Sequence, residues 1–311
     1  MIRIATRRSA LAKWQAHHVA GLLRAEDPGL ETVLHEVVTK GDKILEVPLA
    51  QVGGKGLFVK EIEDALLSEA AEIAVHSMKD LPALLADGLT LAAVPDREDP
   101  RDALCARGGL GLDGLPRGAR VGTSSLRRAA QLRALRPDLQ IEAVRGNVET
   151  RLKKLEQGLD AVVLAAAGLR RLGLQDRVTQ LFSVEEMVPA VGQGALAIQA
   201  RQGDSDTLRR LTPLEHRETR QRTDAERALL RTLEGGCQVP IAAHAVVAGD
   251  RLTLRALVAA IDGTRAVRGE RSGLAAEANA LGEALGEELL GKGAAEILRA
   301  CEGVLPGLSP P

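Results

Sequence analysis

Apolar positions in this chain change period repeatedly, and each change marks a new element. Ile2–Ala5 is a short apolar run suited to a buried strand. Thr6-Arg-Arg-Ser9 is polar, and Leu11, Trp14, His18, Val19, Leu22 and Leu23 then recur at helical spacing until Pro28-Gly29. The unit repeats in kind. Val33–Thr39 and Ile73–Val75 read as strands, with a helix between them that turns Phe58, Ile62, Ala65 and Leu66 to a core. Ala119–Gly122, Ile141–Val144 and Asp160–Ala166 read as further strands, and Val148, Leu152 and Leu155 give the helix after the second its buried stripe. The glycine-rich turn Pro189-Ala-Val-Gly-Gln-Gly-Ala195 precedes an apolar strand, Ala195–Gln199, expected to return to the first domain. Alternating strands and helices predict doubly wound α/β domains.

The last third differs. A helical run from Thr223 to Leu233, with Thr223 and Glu226 at capping-box spacing, stops at Gly235-Gly236 and leads into Cys237 and Pro240. A thiol on such a tight loop suits a nucleophile, a ligand, an attachment point or a small packed hydrophobe. Beyond it Ala242–Val247, Leu252–Val258 and Ala266–Arg271, separated by Gly-Asp and Asp-Gly turns, predict a three-stranded antiparallel meander. One or two helices from about Leu274 to Arg299 complete a small α+β domain. The expected domains are 1–95 plus 195–214, 101–189 and 217–311, with the charged Asp96–Asp102 stretch as the first crossover.

Composition narrows the function classes. Over 311 residues, 41 basic side chains face 42 acidic ones, which gives no general attraction to nucleic acid or anionic membrane. Aromatic residues are 1% of the chain and Tyr is absent, so base-stacking platforms lose support. Cys105, Cys237 and Cys301 lie far apart with no C-x-x-C pair, which argues against a disulfide framework or a zinc site and for a reducing compartment. The N-terminus lacks a signal-peptide apolar region and no run reaches membrane-spanning length, so a cytoplasmic protein is expected.

The polar turns carry the chemistry. Arg7 and Ser9 stand at a helix mouth, where N–H groups and the dipole favour an anion. Thr123, Ser124, Arg127 and Arg128 repeat that arrangement, and Arg145 and Arg151 follow another strand. Ser77, Lys79 and Asp80 lie at the carboxyl end of a strand, the usual ligand position in an open α/β sheet. Gly53, Gly54 and Gly56 surround Lys55 without Walker spacing. Each feature alone fits a solvated face or a capped turn. Together they suggest a cleft for a ligand with many carboxylates or phosphates, and no G-x-G-x-x-G fingerprint points to a dinucleotide.

The motifs also form an ordered series: Arg3-Ile-Ala-Thr-Arg, Val52-Gly-Gly-Lys-Gly-Leu-Phe-Val-Lys, Ala74-Val-His-Ser-Met-Lys-Asp, Arg97-Glu-Asp-Pro-Arg-Asp, Val121-Gly-Thr-Ser-Ser-Leu-Arg-Arg, Arg145-Gly-Asn, Pro189-Ala-Val-Gly-Gln-Gly-Ala and Glu234-Gly-Gly-Cys-Gln-Val-Pro. In this the chain closely resembles the hydroxymethylbilane synthase, or porphobilinogen deaminase, family. The resemblance implies three domains, the first two similar to the lobes of a type II periplasmic binding protein. It implies condensation of four porphobilinogen molecules, with loss of ammonia, on a dipyrromethane primer held by a thioether to Cys237. It implies Asp80 as the catalytic carboxylate, accepting pyrrole N–H bonds and stabilising the cationic azafulvene formed as ammonia leaves. It also assigns Arg7, Ser9, Lys55, Phe58, Ser77, Lys79, Thr123, Ser124, Arg127, Arg128, Arg145 and Arg151 to cofactor or substrate contact. A monomer without a metal, whose product passes to uroporphyrinogen-III synthase, completes the implied picture. Gln51 departs from members with a second lysine there, and Cys105 and Cys301 read as packing residues. The competing expectation is a two-lobed anion-binding protein without catalysis, which gives no reason for Asp80 among cationic groups.

Overall fold

The computed structural model describes residues 1–39, 59–233 and 239–301. Lys55, Phe58, Gln51 and Cys237 lie outside the described residues.

Strand β1 (Ile2–Arg7) buries Ile4 and Ala5 completely and delivers the chain to helix α1 (Ala10–Glu26). Ser9 caps that helix, its hydroxyl accepting the Ala12 N–H at 3.3 Å. The buried face of α1 is Gln15, Ala16, Val19, Ala20 and Leu23. The expected stripe through Leu11, Trp14 and His18 is therefore turned part of the way round. Alanines at 16 and 20 let the helix lie close to the sheet, while Trp14 stacks on His18 with ring centres 5.0 Å apart.

Four more strands complete the first sheet: β2 (Thr32–Val37), β3 (Ile73–Ser77), β4 (Leu89–Ala93) and β10 (Leu196–Arg201). Their order is β2-β1-β3-β10-β4, with β1 parallel to β2 and β3, and β10 antiparallel to β3 and β4. Helix α2 (Lys60–Leu67) packs Ile62, Ala65 and Leu66 against it, as the sequence pattern predicts.

The second sheet contains β5 (Asp102–Ala106), β6 (Arg120–Gly122), β7 (Gln140–Glu142), β8 (Ala161–Ala165) and β9 (Gln180–Leu181). Its order, β7-β6-β8-β5-β9, reproduces the first. In each sheet the antiparallel fourth member, β10 or β5, is the first strand after a crossover from the other sheet. Two such exchanges tie the sheets together, the topology expected of paired binding-protein lobes. Helices α3 (Leu126–Leu135), α4 (Val148–Lys153) and α5 (Ala166–Arg171) cover this sheet. Cys105 is fully buried in β5, a packing role.

Helix α6 (Ser205–Leu211) buries Leu211 with the first core, and helix α7 (Arg217–Thr232) follows. The capping-box reading of Thr223 is corrected here. His216 caps α7, accepting the Thr219 N–H, and the Thr223 hydroxyl donates to Thr219 O within the helix. The first turns of α7 are so charged that their helical stripe is hidden in the sequence. Strands β11 (Ile241–Ala248), β12 (Arg251–Ala259) and β13 (Ala266–Leu274) form the expected meander. Helices α8 (Ala278–Leu289) and α9 (Ala295–Ala300) close its core, with Cys301 buried beside them.

Candidate functional site

Strand β3 ends at Ser77 and enters a 3₁₀ turn, Met78–Asp80. The turn is anchored by the Met78 N–H on Ala195 O at 3.0 Å and closed by the Leu81 N–H on Met78 O at 3.1 Å. Met78 is buried, Lys79 half-buried and Asp80 exposed. Under the turn runs the glycine-rich segment 189–195. At Gly192 (φ 69°) a Cβ would stand 2.3 Å from Met78 Cγ, and at Gly194 (φ 90°) one would stand 2.2 Å from Glu98 O. Only glycine allows the two crossovers and the turn to pass this closely.

Gln193 joins the lobes at this crossing. Its Nε2 donates to Pro100 O at 2.7 Å and to Asp102 Oδ1 at 3.0 Å. Its Oε1 accepts from Lys79 Nζ at 3.4 Å and from Arg128 Nη2 at 3.5 Å. Asp102, fully buried at the start of β5, takes Arg127 Nη1 at 2.7 Å and Arg128 Nε at 2.8 Å. These two guanidiniums hold its carboxyl well below the usual carboxylate range against the cost of burial. Arg127 also donates to Val188 O at 2.8 Å, and Arg128 to Val163 O at 3.0 Å. Arg127, expected to meet a ligand carboxylate, is thus engaged on Asp102, with its buried Nε lacking a partner.

Charges from both lobes converge around Asp80. Its carboxylate supports the protonated forms of His76, Lys79, Arg128 and Arg151. Burial, with Arg128 as the next cause, pushes Lys79 down to about 8. Burial and then Arg128 push Arg151 down to about 10, and Arg145 adds to this. A cluster whose cations destabilise one another in this way is suited to anions. Arg151 Nε donates to Gly146 O at 2.8 Å, and Arg7 faces the same site closely enough to disfavour a charged His76.

The hydroxyls mostly hold the turns. Ser77 accepts Gln15 Nε2 at 2.7 Å, Thr123 accepts the Ser125 N–H at 3.2 Å, and Ser124 donates to Val144 O at 2.6 Å. It is Ser125, not Ser124, that caps α3.

Sequence reasoning did not select His76, Gln193 or Arg171. Burial pushes His76 down to about 4, so the neutral ring donates from Nε2 to Gln199 Oε1 at 3.1 Å. Arg171 donates to Gly194 O at 2.6 Å, and its guanidinium carbon lies 5.7 Å from the centre of the Trp14 ring on the facing lobe. His76 and Gln193 sit inside quoted motifs, which was the available signal, whereas Arg171 lies outside them. Among the described residues no His, Cys, Asp and Glu cluster could hold a metal, and no helix is long and apolar enough to cross a membrane.

Two family models match the chain: "Porphobilinogen deaminase, dipyromethane cofactor binding domain" over residues 2–209, and "Porphobilinogen deaminase, C-terminal domain" over residues 221–291. A porphobilinogen deaminase of Syntrophobacter fumaroxidans is 54% identical over 299 residues, covering 96% of this chain and 97% of that one. Among solved structures, a YaeC-family lipoprotein from Enterococcus faecalis is 17% identical over 68% of this chain and 90% of its own, with a TM-score of 0.40. The aliphatic sulphonate binding protein SsuA of Escherichia coli is 15% identical over 75% of this chain and 70% of its own, with a TM-score of 0.39. Superpositions this loose add nothing to the topology described above. The two family models and the bacterial relative together span nearly the whole sequence, and the chain belongs to the porphobilinogen deaminase family.

Proposed function

We propose that Asp80 is the catalytic carboxylate of this enzyme and that Cys237 carries its dipyrromethane primer through a thioether. The activity is that of the family: a transferase that joins four porphobilinogen molecules head to tail, each with loss of ammonia, to give hydroxymethylbilane for porphyrin biosynthesis. The observation that carries the assignment is the isolation of one exposed carboxylate among His76, Lys79, Arg128 and Arg151, drawn from both lobes.

The residues fit the cofactor. Each pyrrole bears an acetate and a propionate, and mutually repelling cations at the lobe interface are the matching donor set. Lys79, Arg128 and Arg151, with Arg7 and Arg145 at the margins, hold those carboxylates; Lys55 and Phe58 belong to the same site by their motif. Ser9, Ser77, Thr123 and Ser124 shape the turns and offer remaining lone pairs. Arg127 acts through Asp102, keeping Arg128 in place. When bound, the dipyrromethane supplies the nucleophilic α-carbon on which the product grows. The carboxylate of Asp80 accepts pyrrole N–H bonds and offsets the positive charge that develops as ammonia leaves.

The domains are 1–95 with 195–214, 101–189 and 217–311. The protein acts as a cytoplasmic monomer and passes its product to uroporphyrinogen-III synthase, as the family resemblance supports. Replacement Asp80→Ala tests the assignment. Turnover should fall by at least about 10²-fold with the fold intact by circular dichroism. Near-parent turnover would remove Asp80 from catalysis and revive the non-catalytic anion-binding alternative for this cleft.

A further inference from the structure

Two neighbouring residues of α7 grip the turn that carries Asp80. Arg227 is only 5% exposed. Its Nη2 donates to Pro82 O at 2.8 Å and Ala83 O at 3.0 Å, and its Nη1 to Leu81 O at 3.4 Å. These are the first carbonyls after Asp80. Glu226 works from below: its carboxylate accepts the Gly192 N–H at 2.7 Å, and Gly192 presses directly on Met78 within the turn. The same carboxylate takes the Ala245 N–H at 2.8 Å and pairs with buried Arg97, so Glu226 cannot drift. The upstream side of the turn is fixed by the Met78 N–H on Ala195 O, just before β10, whereas Arg227 takes the downstream side.

A guanidinium suits this task. Its planar fork reaches several carbonyls at once, which a lysine ammonium on a flexible stem does less rigidly. These three bonds go to backbone carbonyls, so they set the path of Leu81–Ala83 whatever side chains lie there.

We propose that Arg227 is a positioning residue for Asp80: through the Leu81–Ala83 carbonyls, a helix of the C-terminal domain sets where the carboxylate stands. The inference rests on the reading of Asp80 as the catalytic group. Its consequence is a division of kinetic effects. Substrate carboxylates are held elsewhere, so binding persists when Arg227 is lost, while a misplaced carboxylate slows the chemistry. A displacement of about 1 Å at a reacting group costs on the order of 10²-fold.

The test is steady-state kinetics with porphobilinogen on the cofactor-loaded protein, for Arg227→Met, Arg227→Lys and Arg227→Ala, each checked for fold at the assay temperature. Arg227→Met should lose about 10- to 100-fold in kcat with KM near that of the parent. Arg227→Lys should recover part of the loss, and added methylguanidinium should raise the kcat of Arg227→Ala. A folded Arg227→Met with parent kcat, lowered only in melting temperature, would overturn the proposal. If Arg227→Met does not fold, Arg227→Lys decides: kcat reduced about 5-fold or more at unchanged KM supports positioning, and parent kcat overturns it. The companion Asp80→Ala variant separates the two claims. If that variant is inactive while folded Arg227 variants keep parent kcat, only the positioning role fails; if it turns over normally, the reading of Asp80 fails first.

Discussion

Replacing Glu226 with alanine should unfasten three parts of the molecule at once. Its carboxylate is fully buried and accepts Arg97 Nη1 at 2.7 Å, Arg97 Nη2 at 3.1 Å, the Gly192 N–H at 2.7 Å and the Ala245 N–H at 2.8 Å. Arg97 lies on the first crossover, Gly192 on the second and Ala245 on β11, so the loss is shared by both lobes and the C-terminal sheet. Removing one partner of a buried ion pair costs about 3–5 kcal/mol, because the other charge stays buried. Each orphaned N–H adds about 1–3 kcal/mol where water does not replace the carboxylate. Against a total stability of roughly 5–15 kcal/mol, Glu226→Ala should be among the most damaging single changes in the chain. Urea unfolding, followed by circular dichroism and by the emission of Trp14, the only tryptophan, measures it. The control is Arg97→Ala in both backgrounds. Once Glu226 is gone, removing the stranded cation should cost much less than in the parent, giving a coupling well above 0.5 kcal/mol. Strict additivity within about 0.5 kcal/mol would refute the pairing as an energetic unit.

Lys79 carries a pH prediction. Burial and Arg128 place its pKa at about 8, below the ordinary lysine value of about 10.4. The ammonium therefore loses its proton as pH rises through about 8, and KM for the carboxylate-bearing substrate should climb above that pH. Lys79→Gln should lose this alkaline limb, and an unchanged limb would exclude Lys79 as its source. In the unfolded chain the lysine stays protonated to higher pH, so its burial penalty is full below about 8 and relaxes towards about 10.4. Asp102 gives the opposite case. Its folded pKa is depressed, so its contribution to stability is present above about pH 4 and is lost as pH falls from there towards the folded value. Asp102→Asn should be less stable at neutral pH and show a shallower acid limb, measured as unfolding free energy from pH 5 to 2. An equally steep limb would place that acid sensitivity elsewhere.

The expected elements that appear in the structure are those whose apolar residues follow a clean period. Ile62, Ala65 and Leu66 bury as one face, and the C-terminal strands pair along their length. Strands β4, β5 and β9 were not legible. Strand β5 opens on Asp102, a residue that reads as polar loop and is buried only because Arg127 and Arg128 neutralise it. Likewise Arg97 and Glu226 look like surface charge until they are seen to meet across 129 positions of sequence. The turns bearing Arg128 and Arg151 were legible as candidate anion sites, because hydroxyls and arginines follow strand ends, and the turn bearing Lys79 and Asp80 as a candidate ligand position at the end of a strand. Sequence spacing alone did not indicate that Arg127 is occupied by Asp102, nor that Gln193 joins Lys79 to that pair. Such roles depend on contacts between lobes, and no local period encodes them.

The most direct test of the account is the intact mass, under denaturing conditions, of the purified protein beside its Cys237→Ser variant, before and after incubation with porphobilinogen. The account predicts a mass excess equal to two linked pyrrole units in the parent, present on purification or gained on incubation, and absent from the variant. A parent that stays at its bare sequence mass after incubation, or a variant that acquires the same covalent excess, would contradict it.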